Sequence, residues 1–169
     1  MGAGVVLDTS FLITLADPVR KNHAVARRYW RHFMEQNIPV FLPTIVVSEF
    51  CVRQEIPPEI LRCCVVLPFN WDEAIKTAQI DFTQFRSPGD SRVAIKDDVK
   101  IIAQAMIRDA QHVITEDTDS LARMASELKR SGRVGFKTIC LKDGFDRSFF
   151  DPNGQSDFDD TLNQTDVDT

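Results

Sequence analysis

The sequence predicts an α/β fold in which helices cover both faces of a parallel sheet. Short apolar segments rich in β-branched residues alternate along the chain with longer segments whose apolar residues recur at helical spacing. Such alternation favours right-handed βαβ crossovers, which make the strands parallel and bury the sheet from both sides. The 169 residues suit one domain, and neither a repeat nor a linker divides them.

Five short apolar segments are predicted to be strands, because they are rich in strand formers and bounded by polar or turn-forming residues. They are residues 5–7, 39–43, 63–69, 112–115 and 136–141. Helical spacing of apolar residues predicts six helices, over residues 11–17, 20–37, 44–55, 73–85, 96–110 and 119–132. Thr44 and Asp72 are predicted N-caps. The predicted helix ends are Pro18, Pro57 with Pro58, residues 87–90, and Gly132.

The four cysteines form no CxxC pair, which predicts reduced, buried thiols. No apolar stretch approaches the roughly 20 residues that span a bilayer. The N-terminus lacks the basic region and the cleavage-site pattern of a signal peptide. We therefore expect a cytoplasmic protein without membrane contact.

Acidic residues are concentrated near the C-terminus. The net charge is −5 for the whole chain and −6 for residues 144–169, which hold seven Asp and one Arg, so residues 1–143 carry +1. We expect residues 1–143 to form the folded domain, and residues 144–169 to form a flexible tail that docks at most through Phe149 and Phe150. A near-neutral body does not exclude a nucleic-acid partner, because local basic patches decide such binding.

Other acidic residues recur where predicted strands and helices meet. Asp8 and Asp117 directly follow strands, while Glu49 and Asp98 lie on helices that can reach the same edge of the sheet. In an open parallel sheet, ligands bind at the carboxyl ends of the strands. The pattern therefore predicts that the four carboxylates share one site.

Each of these acids also has a plainer interpretation. Asp8 can cap the end of its strand, and Asp117 or Asp119 can cap the helix that begins near residue 120. Asp97 or Asp98 can be a first-turn acid favoured by the helix dipole. Glu49, which has apolar neighbours in sequence, can be buried in a pair with an arginine.

A shared site would be electrostatically costly without a cation. Two carboxylates about 5 Å apart repel by roughly 3 kcal/mol at an effective dielectric near 20, and four around one pocket repel by on the order of 10 kcal/mol. Such a cluster takes up protons or binds a cation. Because its four ligands are carboxylate oxygens, the fitting ions are Mg²⁺ and Mn²⁺.

Four segments together resemble the motifs of PIN-domain proteins, in particular of VapC-like ribonucleases. The matching positions are Asp8 and Ser10 in VVLDTSFLI, Glu49 in PTIVVSEF, Asp98 with Ile101, Ala103 and Ala105 in KDDVKIIAQA, and Thr115, Asp117 and Asp119 in VITEDTDSL. Asp97 does not fit the register of the third motif. The resemblance extends from about residue 4 to 142, and each motif is weak when taken alone.

The resemblance implies an α/β/α sandwich with a five-stranded parallel sheet, and cleavage of single-stranded RNA that depends on one or two Mg²⁺ or Mn²⁺ ions. It also implies a homodimer and, for a toxin, an antitoxin partner. Asp8, Glu49, Asp98 and Asp117 would be catalytic metal ligands, and Asp119 would hold a second ion. Ser10 and Thr115 would orient the acids or the scissile phosphate, although ordinary helix or turn capping explains both hydroxyls equally well.

A basic stretch offers a path for the RNA strand. It contains Arg20, Lys21, Arg27, Arg28 and Arg31, with Tyr29 and Trp30 as candidates for base stacking. The alternative is a solvated helix face, or a surface for a dimer or antitoxin partner.

Three other classes of protein have similar patterns. A haloacid-dehalogenase-type phosphatase needs a second Asp two residues after the first, where Ser10 stands. A receiver-like interaction domain agrees with Lys142 after the last strand, but it needs an acceptor Asp after the third strand, and "CCVVLPFN" has none. A PIN-fold RNA- or protein-binding module that no longer cleaves would still agree with the four motifs.

Overall fold

The computed structural model describes residues 4–85 and 92–151. Its strands are β1 (Val5–Leu7), β2 (Val40–Pro43), β3 (Cys64–Leu67), β4 (His112–Thr115) and β5 (Lys137–Cys140). All neighbouring strands pair in parallel, and they form one five-stranded sheet in the order β3-β2-β1-β4-β5. The predicted α/β class and parallel sheet are confirmed.

Helices cover both sides of this sheet, as a three-layer α/β/α sandwich requires. They are α1 (Thr9–Ala16), α2 (His23–Glu35), α3 (Thr44–Phe50), α4 (Pro58–Leu61), α5 (Trp71–Gln79), α6 (Arg92–Ile107) and α7 (Leu121–Arg130). Short 3₁₀ turns lie at Phe82–Phe85, Leu141–Asp143 and Arg147–Phe150. Within the described ranges, none of the helices combines the length and apolar character needed to cross a bilayer.

The strand order determines where a ligand can bind. From β1 the chain moves outward through β2 to β3 and then returns to the other side of β1 as β4. The crevice between the carboxyl ends of β1 and β4 is therefore the topological switch point of the sheet, where open α/β sheets bind ligands. The order also differs from the 2-1-3-4-5 order of receiver-like sheets, which removes the receiver-like alternative.

The predicted boundaries are wrong around α3 and α4. Helix α3 ends at Phe50, and Pro58 begins α4. Proline is well suited to the first turn of a helix, because the missing N–H has no partner there in any case. Pro43 is the N-cap of α3, so the predicted cap Thr44 is its first helical residue.

Two further boundaries differ from the predictions. Asn70, and not Asp72, caps α5, and its backbone N–H donates to Glu73 (2.9 Å) in a capping box. Helix α6 begins at Arg92, so Asp98 lies in its second turn and not in its first. The predicted helix end at Gly132 agrees with its positive φ of 71°, whereas residues 87–90 lie outside the described ranges.

All four cysteines are free thiols, as expected. The prediction that they are buried is wrong for Cys51 and Cys63, which are exposed, and Cys64 and Cys140 are half-buried.

Residues 144–151, called the C-terminal segment below, pack against α2. The Tyr29 hydroxyl donates to the Gly144 carbonyl (3.0 Å) and accepts from the backbone N–H of Asp146 (3.0 Å). The ring of Phe145 lies 4.8 Å from that of Tyr29. Tyr29 is fully buried, so this pair of hydrogen bonds fixes the segment to the helix at a site without water.

Phe149 and Phe150 dock beside the sheet, but the prediction that the tail docks at most through these two residues is wrong, because Gly144, Phe145 and Asp146 also contact α2. The ring of Phe150 lies 5.5 Å from Phe33 and 4.9 Å from His112, and that of Phe149 lies 6.0 Å from His112. Burial and the charges of Lys137 and Lys129 lower the pKa of His112 to about 4, so the ring is neutral in this apolar setting at pH 7. Residues 152–169 lie outside the described ranges.

Replacing Phe150 with Ala is expected to lower the free energy of unfolding by about 2–3 kcal/mol. The variant loses ring contacts with Tyr29, His32, Phe33 and His112. Urea denaturation measures the change. As a control, Val19→Ala alters a side chain that is 89% exposed and should leave stability unchanged. Equal stability of the two variants would show that the C-terminal segment does not contribute to the fold.

Candidate active site

The four predicted acids line one open cleft of about 860 Å³ at the switch point of the sheet. Asp8 directly follows β1, and Asp117 follows β4 by two residues. Glu49 projects from α3 and Asp98 from α6, on either side of the crevice. Residues from four distant parts of the chain therefore meet where the strand order predicts a ligand.

Asp8 is held by hydroxyl groups. Its Oδ2 accepts hydrogen bonds from Ser10 Oγ (2.5 Å), Thr115 Oγ1 (2.7 Å) and the backbone N–H of Ser10 (3.3 Å). It is also the N-cap of α1, so the capping role and the place in the cleft coexist. Burial raises the pKa of Asp8 even though these hydrogen bonds favour its charged form.

Ser10 and Thr115 also connect the two central strands. Ser10 Oγ accepts from the backbone N–H groups of Glu116 (2.8 Å) and Asp117 (3.2 Å), and Thr115 Oγ1 accepts from the N–H of Asp117 (2.9 Å). Each hydroxyl thus caps the turn after β4 and orients Asp8 at the same time. The structure therefore shows both roles considered for Ser10 and Thr115, capping a turn and orienting an acid.

Glu49 and Asp98 accept hydrogen bonds from Thr9 and Ser120, respectively. Burial and the charges of Asp97 and Asp8 raise the pKa of Glu49. No arginine pairs with Glu49 in the ranges that the structure describes, so the buried ion pair considered for it is not formed.

Asp98 is only 8% exposed. Burial raises its pKa to about 7, with further contributions from the charges of Asp8, Asp117 and Glu49, and the hydrogen bond from Ser120 opposes this shift. The neighbouring Asp97 instead forms an ion pair with Lys100 (2.7 Å) and does not line the cleft.

Asp117 and Asp119 have different positions although both follow β4. Asp117 lines the cleft, and its Oδ1 accepts from the backbone N–H groups of Asp119 (2.9 Å) and Ser120 (3.1 Å), so it also stabilises the start of α7. Asp119 is exposed and lies outside the cleft lining, and its carbonyl accepts from Arg123 (2.8 Å). Its role at a second ion remains a prediction.

Glu116 organises the edge of the cleft, a role that the sequence did not reveal. Its carboxylate accepts hydrogen bonds from Thr14 Oγ1 (2.6 Å), Arg20 Nη2 (2.7 Å) and Asn22 Nδ2 (2.9 Å). Burial alone would raise the pKa of Glu116, but these bonds outweigh burial and lower it. The network directs Arg20 to the cleft lining, which also contains Arg53.

The remaining members of the predicted basic stretch lie along α2 and just before it. Lys21, Arg27, Arg28 and Arg31 are exposed. The prediction that Tyr29 stacks on bases is wrong, because Tyr29 is fully buried beneath the C-terminal segment. Trp30 is half-buried against the core.

The donor set of the cleft fits a hard cation. Its carboxylates are all oxygen ligands, and burial raises the pKa of three of them, with added repulsion from neighbouring acids at Glu49 and Asp98. In the described parts of the chain, however, no three acidic, His or Cys side chains stand ready to coordinate one ion. Glu49 and Asp98 would have to turn from their hydroxyl partners to do so.

No protein-family model matches the sequence, and neither does any curated protein. Solved structures do match. The structure of VapBC2 from Rickettsia felis, bound to a DNA fragment from its promoter, gives a TM-score of 0.53 at 12% identity. The match covers 79% of this chain and 97% of that one. The chain has the PIN-domain fold of VapC proteins.

Two further structures support the PIN fold. DNA-bound VapBC from Salmonella typhimurium gives a TM-score of 0.52 at 17% identity, covering 83% of this chain and 99% of that one. Mycobacterium tuberculosis VapC20, described as a toxin that cleaves the sarcin-ricin loop, also gives 0.52 at 17% identity, with coverages of 79% and 99%. At these identities the likeness establishes the fold, and the chemistry must be argued from the cleft itself.

Replacing Asp98 with Asn is expected to stabilise the metal-free protein above pH 7. The pKa of Asp98 is about 7 in the folded protein and near 3.8 ordinarily, so the folded state binds this proton more tightly than the unfolded state. Wild-type stability should therefore fall as the pH rises from about 4 to about 7. In urea denaturation with EDTA, the free energy of unfolding of the wild type should fall by roughly 2–4 kcal/mol relative to that of the variant over this pH range.

The matched control for this measurement is Asp109→Asn. Asp109 is exposed and has a φ of 50°, a conformation that Asn also adopts readily. This variant should reproduce the pH profile of the wild type. Parallel profiles of wild type and Asp98→Asn would contradict the raised pKa of the buried Asp98 carboxyl.

Proposed function

We propose that the chain is an endoribonuclease that uses Mg²⁺ or Mn²⁺ to hydrolyse phosphodiester bonds of single-stranded RNA. The observation that carries the proposal is the convergence of Asp8, Glu49, Asp98 and Asp117 on one cleft at the switch point of a PIN fold. A divalent ion bound there would offset the electrostatic repulsion among the four carboxylates.

Each residue of the cleft has a role in this proposal. One or two divalent ions, when bound, would lower the pKa of water and neutralise charge on the phosphate. Asp8, Glu49, Asp98 and Asp117 would hold them, and Asp119 is the candidate at a second ion. Ser10 and Thr115 orient the Asp8 carboxylate by donating to the same oxygen.

Cationic groups near the cleft would bind the RNA backbone. Arg20 lines the cleft and is oriented by Glu116, so its guanidinium is positioned before RNA arrives. Lys21, Arg27, Arg28 and Arg31 extend this positive surface along α2. These residues would bind the strand whatever its base sequence, because phosphate contacts carry no sequence information.

The solved structures suggest a biological setting. VapC20 is described as a toxin, and the Rickettsia and Salmonella structures contain VapBC bound to DNA. We therefore propose that this chain is the toxin of a toxin–antitoxin pair, with a homodimer as its form in solution. Co-purification with the product of a short neighbouring gene, and relief of growth arrest by that product, test the antitoxin. Light scattering tests the dimer.

The Asp8→Asn variant is expected to cleave single-stranded RNA at least about a hundredfold more slowly than the wild type in Mn²⁺, because it weakens a central ligand. Denaturing gels of a labelled RNA measure the rate. Asp109→Asn, remote from the cleft lining, should cleave like the wild type. Equal cleavage by Asp8→Asn and wild type would refute the site, and no cleavage by either would favour a PIN-fold binding module.

Mn²⁺ is expected to raise the melting temperature of the wild type and not that of the Asp8→Asn/Asp98→Asn double variant. An ion at a hundred times its Kd stabilises the folded state by about 2.7 kcal/mol, or roughly 5–10 °C for a chain of this length. Differential scanning fluorimetry measures the shift without reference to activity. The same shift in both proteins would place the ion elsewhere.

A further inference from the structure

A second cavity lies at the C-terminal half of α2, where the C-terminal segment packs against the helix. It has a volume of about 250 Å³ and is called the arginine pocket below. Its lining consists of Arg28, Arg31, His32, Glu35, Gln36, Phe145 and Arg147. Three arginines and one glutamate give this lining a net charge of +2 with His32 neutral.

The charges of these arginines are only partly offset, by the one glutamate of the lining. Within residues 4–85 and 92–151, none of them forms an ion pair. The guanidinium of Arg28 lies 4.6 Å from the centre of the Phe145 ring, which holds it at the wall without cancelling its charge. Guanidinium groups gathered in this way favour a phosphate, whose oxygens accept paired hydrogen bonds from each of them.

His32 adds a polar group that lacks a partner. Its Nε2 is buried and forms no hydrogen bond with the described residues. Burial and the charge of Arg147 lower the pKa of His32, so the ring is neutral at pH 7 and can donate from one nitrogen. A buried, unpaired ring nitrogen is costly, so a ligand oxygen that reached it after a turn of the His32 ring would stabilise the bound state.

We propose that the arginine pocket binds a phosphate group of the RNA strand whose scissile bond lies in the acid cleft. The inference rests on the proposed function and adds a second contact for the substrate. Arg20, just before α2, lines the cleft, and Arg31 lines the pocket near the other end of the helix. Helix α2 has 13 residues and is about 20 Å long, a distance that a strand of several nucleotides spans.

Fluorescence anisotropy with a labelled single-stranded RNA and the full chain in EDTA tests the pocket independently of cleavage. The Arg31→Gln/Arg147→Gln variant should bind about tenfold more weakly than the wild type. The slope of log K against log salt should fall by about 0.7 for the phosphate contact that is lost. The matched control is Arg108→Gln/Arg130→Gln, which removes the same charge at exposed positions outside the pocket and should change Kd less than about twofold.

The outcomes separate the alternatives. The proposal is overturned if the two double variants bind RNA with the same Kd, whether or not that Kd differs from the wild-type value. Inorganic phosphate could raise the melting temperature of the wild type but not of the pocket variant, while both bind RNA with equal affinity. That result would assign the pocket to free anions and would also overturn the proposal. The Kd for RNA tests the pocket, and the cleavage assay tests the proposed function. If the pocket variant binds RNA more weakly but the wild type does not cleave RNA in Mn²⁺, the endoribonuclease proposal is refuted and the pocket proposal stands.

Discussion

Burial of carboxylates without a compensating cationic side chain among the described residues, at the crevice between β1 and β4, is the constraint on which the rest of the site depends. Asp8 and Asp98 are both buried there, and neither is paired with a cationic side chain in the described ranges. Hydroxyl groups and backbone N–H groups donate hydrogen bonds to the acids of the cleft. These bonds stabilise the charged carboxylates without neutralising them. The cleft thereby keeps a negative charge that a divalent ion can use, while the core around it remains packed.

Much of the fold and of the cleft can be predicted from local features of the sequence. Val5–Leu7 and His112–Thr115 are buried along their whole length, and their β-branched residues Val5, Val6, Val113 and Ile114 make both readily recognised as central strands. Asp8 and Asp117 follow such strands, and parallel pairing brings strand ends together. The α/β class, the place of the cleft and its four acids therefore follow from short segments, supported by the resemblance to PIN-domain motifs.

The remaining features depend on contacts that no local pattern encodes. Glu116 receives Thr14 and Arg20 from about a hundred residues away, and nothing in its own neighbourhood indicates that it rather than Asp119 organises the edge of the cleft. Pro58 begins a helix instead of ending one, because both positions suit proline. Basic neighbours make Tyr29 a candidate for base stacking, whereas its spacing from Ala26 and Phe33 places it on the buried face of α2.

The pairing of β1 with β4 has a consequence for how the protein is made. Val5 stands opposite His112, so the two middle strands are separated by most of the chain. During synthesis from the N-terminus, β1 can pair early with β2 but must wait for β4, and sequence-distant pairing of this kind slows folding. A ribosome-bound chain shorter than about 117 residues contains Asp8 without the turn that follows β4. The complete acid cleft therefore forms only late in translation, after most of the chain has left the ribosome.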